Sequence, residues 1–110
     1  MKRYCLALDL VDDEELIREY EAYHRQVWPE VKESIVASGI ENMEIYRFAN
    51  RLFMIMDVSD KFSFSQKKEA DAINPKVQEW EKQMWKYQQA IPGAKQGDKW
   101  VLMDKIFSLK

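Results

Sequence analysis

The chain has 110 residues, 46% hydrophobic and 33% charged, with three glycines and three prolines. That size suits one domain around a single modest core, and the composition leaves no large disordered share. A net charge of −2 supplies no basic field for a polyanion, so nucleic-acid binding is not expected.

The first predicted element is a strand, "RYCLALDL" (Arg3 to Leu10), in which Tyr4, Leu6, Leu8 and Leu10 alternate with Cys5, Ala7 and Asp9. Cys5 is the only cysteine, so no intramolecular disulfide can form, and it reads as a buried, reduced thiol of a cytoplasmic protein. Asp9 and the absence of a small-residue cleavage pattern argue against a signal peptide. No apolar run approaches the ~20 residues of a membrane span. Asp12 or Asp13 then caps a helix whose first turn is acidic, as the helix dipole favours. Its apolar stripe takes Leu16 or Ile17, Tyr20, Tyr23 or His24, and Val27. Pro29 disfavours helical geometry at Trp28 but suits a first helical position, so a break or kink is expected there. "PEVKESIVASG" continues as helix and stops at Gly39.

Two strand-like runs follow, "NMEIYRF" and "RLFMIMDV", joined by Ala49 and Asn50. Asn50 is the residue expected to take the left-handed conformation of a tight hairpin. "DKFSFSQKKEADAI" reads as a loop and a short helix. In "NPKVQEWEKQMWKYQQAI", Asn74 caps, Pro75 opens the helix, and Val77, Trp80 or Glu81, Met84, Tyr87 and Ile91 stripe one side. After a polar loop, "KWVLMDKIFSL" is expected to close the chain as a fourth strand.

The order β-α-β-β-α-β predicts an α+β fold of ferredoxin-like topology, one domain over residues 1–110. Helices on one face of a four-stranded antiparallel sheet leave the other face to be covered. Depending on register, that face draws on Leu6, Leu8, Tyr46, Phe53, Met54, Leu102 and Ile106. A second copy is the simplest cover, which predicts a homodimer whose two sheets face each other as a dimeric α/β barrel.

Only one histidine is present, His24, and helical spacing sets it between Tyr20 and Trp28 on one face. Imidazole is the side chain that exchanges protons near neutral pH without perturbation, so His24 is the candidate acid–base group. The plainer alternative is a histidine that fills the edge of the core with its nitrogens satisfied. Metal binding is not expected: there is one His, one distant Cys, and no carboxylate–His pair at ligand spacing. Trp80, Trp85 and Tyr87 cannot all point inward, so at least one is expected at a pocket or interface. No phosphate loop, nucleophile elbow or zinc signature occurs.

Five stretches, "EYEAYHRQVWPEV", "GIENMEIYR", "NRLFMIM", "INPKVQEWE" and "GDKWVLMDKIF", resemble in order and spacing the L-rhamnose mutarotase family, closest to its L-fucose mutarotase branch. The similarity runs over essentially the whole chain, and His24-x-x-x-Trp28-Pro29-Glu30 is its most specific piece. The resemblance implies a dimeric ferredoxin-like fold and interconversion of the α and β anomers of a 6-deoxy sugar without a cofactor. It implies that His24 is the proton donor and that Tyr20 and Trp80 contact the sugar. Met43 and Glu81 stand where the rhamnose enzymes carry a tyrosine and a second tryptophan. As substrate-facing positions of altered chemistry, they leave L-fucose a rival to L-rhamnose.

That chemistry suits the residues. Ring opening removes the anomeric hydroxyl proton and protonates the ring oxygen, with no oxidation and no strong nucleophile. Positioned acid–base catalysis of ~10² to 10⁴-fold would suffice. Tyr20, Trp28 and Trp80 can wall the apolar faces of a sugar. The partner base is open among Tyr20, Glu81, Glu44 and a bound water. Two other readings remain: a non-enzymatic dimeric module binding a small ligand, and a cofactor-independent monooxygenase or haem-degrading protein of similar architecture.

Overall fold

A computed structural model describes residues 2–95 and 97–110. Strand β1 (Lys2–Leu10) pairs antiparallel with β3 (Arg51–Val58), with Leu6 opposite Met54 and Leu8 opposite Leu52. Strand β2 (Ile40–Phe48) pairs antiparallel with the far edge of β3, setting Met43 opposite Met56, Ile45 opposite Met54 and Arg47 opposite Leu52. Helices α1 (Glu14–Arg25), α2 (Pro29–Ala37), α3 (Phe64–Ala72) and α4 (Pro75–Trp85) complete the α+β, ferredoxin-like arrangement.

Local chemistry explains these boundaries. Asp13 is the N-cap of α1, its Oδ1 accepting from the backbone N–H of Glu15 and Leu16 at 3.0 Å each. Pro29 divides two helices rather than bending one. Trp28 before it is held at φ −56°, ψ 135°, the extended geometry that a following proline imposes, and Pro29 opens α2. Gly39 ends that helix at φ +100°, a conformation that strains any side chain, and a Cβ built there would lie 2.9 Å from Ser59 Oγ and displace it. Asn74 caps α4 with Pro75 at its first position, as predicted.

Three expectations needed correction. The helix predicted to reach Ile91 ends at Trp85, because Gln88 and Gln89 pair instead with Leu10 and Asp9 of β1. In the β2–β3 turn the left-handed residue is Ala49 (φ 52°), not Asn50. Asn50 is engaged elsewhere: its Nδ2 donates to Leu10 O at 3.0 Å and its carbonyl accepts from Leu10 N at 2.6 Å, which ties the hairpin to the end of β1. The closing strand is also shorter than expected. The free edge of β1 is shared by β4 (Gln88–Gln89) at Asp9 and Leu10, and by β5 (Val101–Leu102) at Ala7 and Leu6. The sheet order is β2-β3-β1-β4, with β5 also on β1. Met103 N still donates to Cys5 O at 2.8 Å, but the regular strand stops at Leu102, and Ile106, Phe107 and Leu109 lie exposed.

Register also sorts the apolar residues between the two faces. Leu6, Leu8 and Leu10 of β1 and Leu52, Met54, Met56 and Val58 of β3 are buried under the helices. Ile17 and Tyr20 of α1, Val31 of α2, and Val77, Trp80 and Met84 of α4 are buried with them. The opposite face carries Cys5 (half-buried), Ala7, Phe53 and Ile55, with Tyr46 and Phe48 exposed on β2. Along this face two cross-strand ion pairs stand at the ends of the β1–β3 ladder in opposite polarity: Arg3 with Asp57, and Asp9 with Arg51, each at 2.8 Å.

Candidate active site

Burial of Ile17 and Tyr20 fixes the rotation of α1 on the sheet, and one turn beyond Tyr20 that rotation sets His24 half-buried at the edge of the core. The Trp28 turn folds back so that the Trp28 and Trp80 rings meet edge to face with centroids 5.1 Å apart. The imidazole lies between two of these rings, 4.4 Å from the Tyr20 centroid and 5.6 Å from that of Trp80. Tyr23 completes the cluster, edge-on to Trp80 at 6.0 Å.

Hydrogen bonding fixes the tautomer. Nδ1 of His24 lies 2.9 Å from the carbonyl oxygen of Tyr20. A carbonyl can only accept, so Nδ1 carries the proton and donates it. Nε2 of the neutral ring is then a lone pair, and among the described residues it has no hydrogen-bond partner. Burial pushes the imidazole below its ordinary value of 6.5, against a smaller raising effect of the bond to Tyr20, which favours the neutral ring at pH 7. Burial acts oppositely on the Tyr20 phenol, pushing it up to about 12. Tyr20 therefore stays protonated, and since its oxygen accepts from Gln88 Nε2 at 3.3 Å, its own hydrogen is free for a ligand.

His24 and Tyr20 line a cavity of about 400 Å³ between α1 and the edge strand β2, within the size range of small-ligand sites. Ile45 and Leu52 supply its apolar part, and Glu21, Arg25 and Arg47 its charged part. Of the remaining sequence-derived site residues, Trp28 and Trp80 stand behind the imidazole rather than lining this cavity, and Trp28 borders a second depression with Glu19 and Tyr23. Met43 is half-buried against Leu6, Ile40, Met54, Met56 and Val58, under the helices. Glu81 is half-buried and accepts from Gln78 Nε2 at 3.2 Å. Glu44 accepts from Tyr46 OH at 3.3 Å, and neither carboxylate lines the His24 cavity. Trp85 is the aromatic of α4 that turns outward, with the Lys99 ammonium 5.3 Å from its ring centroid.

The arrangement defines an α+β protein of ferredoxin-like fold with a neutral histidine in a small, partly charged cavity. Among the described residues, no three His, Cys, Asp or Glu side chains converge to hold a metal ion, and no helix is long and apolar enough to cross a membrane. The family model of L-rhamnose mutarotase matches residues 3–109. The chain is 44% identical to an L-fucose mutarotase of Xanthomonas campestris pv. campestris, over 99% of this chain and 89% of that one. Among solved structures it is similar to an L-rhamnose mutarotase of Formosa agariphila, with a TM-score of 0.73, 21% identity and 100% of both chains covered. A type-II polyketide cyclase of Streptomyces glaucescens shares the fold, with a TM-score of 0.65 and 15% identity over 100% and 98% of the two chains. The chain belongs to the L-rhamnose mutarotase family, and with it to the isomerases that act on carbohydrates.

Sequence reasoning did not reach Ile45, Arg47 and Leu52 as cavity residues. They come from a hairpin that returns to α1 from more than twenty positions away, and no local pattern marks that contact.

Proposed function

We propose that the protein interconverts the α and β anomers of a 6-deoxy sugar, L-fucose in preference to L-rhamnose, with His24 as the proton carrier. The observation that carries the reading is the bond from Nδ1 to Tyr20 O, which leaves an unpartnered lone pair on Nε2 beside the cavity. Nε2 takes the proton of the anomeric hydroxyl. The electron pair left on that oxygen forms the carbonyl as the bond from C1 to the ring oxygen breaks, and the imidazolium returns the proton to the ring oxygen. Rotation about C1–C2 and the reverse sequence close the other anomer. No net charge, electron or atom is exchanged, so one imidazole can serve as base and then as acid; the resemblance alone had suggested only the donor half of this role. Tyr20, a protonated phenol in the same cavity, donates to a sugar oxygen. Trp28 and Trp80 hold the imidazole in place, with Met43 and Glu81 adjusting sugar preference from beyond the cavity wall. The 44% identity to an L-fucose mutarotase supports the choice of sugar.

The other readings have less support. Three charged side chains at the cavity fit a polyhydroxylated ligand better than an oxidisable aromatic one, and an association module would not require a free imidazole lone pair. The test is saturation-transfer NMR between the two anomeric protons of each sugar. Faster exchange with protein, more so for L-fucose, is expected; no acceleration for either sugar would sink the reading.

The proposal extends to assembly and location. The face opposite the helices is apolar between two ion pairs of opposite polarity, so a second copy turned by a two-fold axis would set Arg3–Asp57 against Asp9–Arg51. A homodimer in the cytoplasm fits that surface and the single free cysteine. Light scattering is expected to give about twice the 13.2 kDa chain mass, and Phe53→Asp to shift it to one. A wild-type monomer at micromolar concentration would refute the dimer.

A further inference from the structure

The charged part of the His24 cavity contains an arrangement that the acid–base chemistry does not use. Arg47, on the helix-facing side of β2 opposite Leu52, is held at both ends of its guanidinium. Nη1 donates to the carbonyl of Ala49 at 2.7 Å, and Nη2 lies 3.2 Å from Oε1 of Glu21 on α1. Both side chains are substantially exposed, at 36% and 48%, and an ion pair so placed contributes little to stability. Its geometry has another consequence. Ala49 sits in the left-handed turn of the hairpin, so its carbonyl is a fixed anchor, and the guanidinium fork is aimed before any ligand arrives. Most of its five N–H groups remain unused, and Oε2 of Glu21 has no partner among the described residues. The cavity wall thus presents donors and an anionic acceptor side by side.

We infer that Glu21 and Arg47 read the sugar's ring hydroxyls and set which sugar is accepted. A hydroxyl both donates and accepts, and two neighbouring hydroxyls meet such a pair with complementary hydrogen bonds. Glu21 and His24 are three residues apart on α1, which separates their Cβ atoms by ~5–6 Å, roughly the width of a pyranose ring. With the anomeric centre at His24, hydroxyls across the ring reach Glu21 and Arg47. L-Fucose and L-rhamnose differ in configuration at C2 and C4, so a fixed donor–acceptor pair discriminates between them. The inference rests on the proposed mutarotase function.

The test is exchange kinetics of L-fucose, L-rhamnose and the 2-deoxy and 4-deoxy derivatives of L-fucose, with wild type, Glu21→Ala, Glu21→Gln and Arg47→Met. Loss of a charge-assisted hydrogen bond is expected to raise KM for the preferred sugar about 10- to 100-fold in Glu21→Ala and Arg47→Met, with kcat changed far less. Glu21→Gln, which keeps an acceptor, should recover part of the loss. The penalty should vanish for the deoxy derivative that lacks the hydroxyl being read, an outcome that a merely structural pair would not produce. Unchanged KM in folded variants, or an equal penalty on all four sugars, would overturn the assignment while leaving the mutarotase reading intact. A wild type that accelerates no sugar would remove both.

Discussion

Substitution of His24 by alanine is expected to lower the catalysed exchange rate by ~10² to 10⁴-fold, down to the spontaneous background. The size follows from the number of proton-transfer groups. Tyr20 is held protonated, and Glu44 and Glu81 lie outside the cavity, so no second base stands where Nε2 does. The fold should survive, since His24 is half-buried at the edge of the core and its Nδ1 bond lies within its own helix. Saturation transfer together with circular dichroism separates loss of chemistry from loss of structure. The pH dependence carries the same signature. In the proposed cycle the base is the neutral ring, and burial lowers the imidazole from its ordinary 6.5, so activity should persist through neutral pH and fall only once the pH drops below that ordinary value. An acid limb above the usual imidazole range, or a His24→Ala protein with undiminished exchange, would exclude the proposed carrier.

The second large effect concerns Trp80, where a core position meets a proposed role behind His24. The indole is 8% exposed and packs in the cluster of Leu10, Ile17, Tyr20, Val31, Leu52, Met84 and Tyr87, while Trp28 and His24 lean against it. Trp80→Ala empties the centre of that cluster, and such truncations destabilise by about 3–5 kcal/mol. For a domain of this size the unfolding midpoint should fall by roughly 12 °C or more. Residual protein folded in the cold should also show weakened exchange, because the wall behind the imidazole is gone. Trp80→Phe distinguishes the two roles. It keeps most of the core filling, so a near-normal midpoint with impaired exchange would place the indole in the site, whereas recovery of both would leave it a core residue only. Thermal unfolding and exchange measured on the same samples decide between them.

Much of this was legible because it is encoded locally. Alternation in "RYCLALDL" gave the first strand and its buried face, the Asp12–Asp13 pair and Asn74 announced two helix starts, and Pro29 and Gly39 bounded α2. The grouping of Tyr20, His24, Trp28 and Trp80 was also within reach, because three of them share a helix or its exit turn. What local pattern could not supply was register and return contacts. The hairpin turn places its left-handed residue at Ala49 because Asn50 is engaged by Leu10, forty residues away in sequence. The last strand shares the edge of β1 with Gln88 and Gln89, a division that no local pattern in the closing residues records. Arg47 reaches Glu21 across the gap between an edge strand and a helix, and neither sequence neighbourhood hints at it.

The support behind His24 has a consequence for the kind of catalyst it can be. In hydrolytic triads a carboxylate sits behind the imidazole and stabilises its cation through the reaction. Here a neutral peptide oxygen takes that place. In the proposed cycle a protonated ring would receive no anionic counterweight from behind, so it would be a fleeting species that surrenders its hydrogen readily. Such a weakly backed relay would serve poorly for expelling an amine or an alkoxide, but it matches a cycle whose start and finish are both uncharged and nearly equal in free energy.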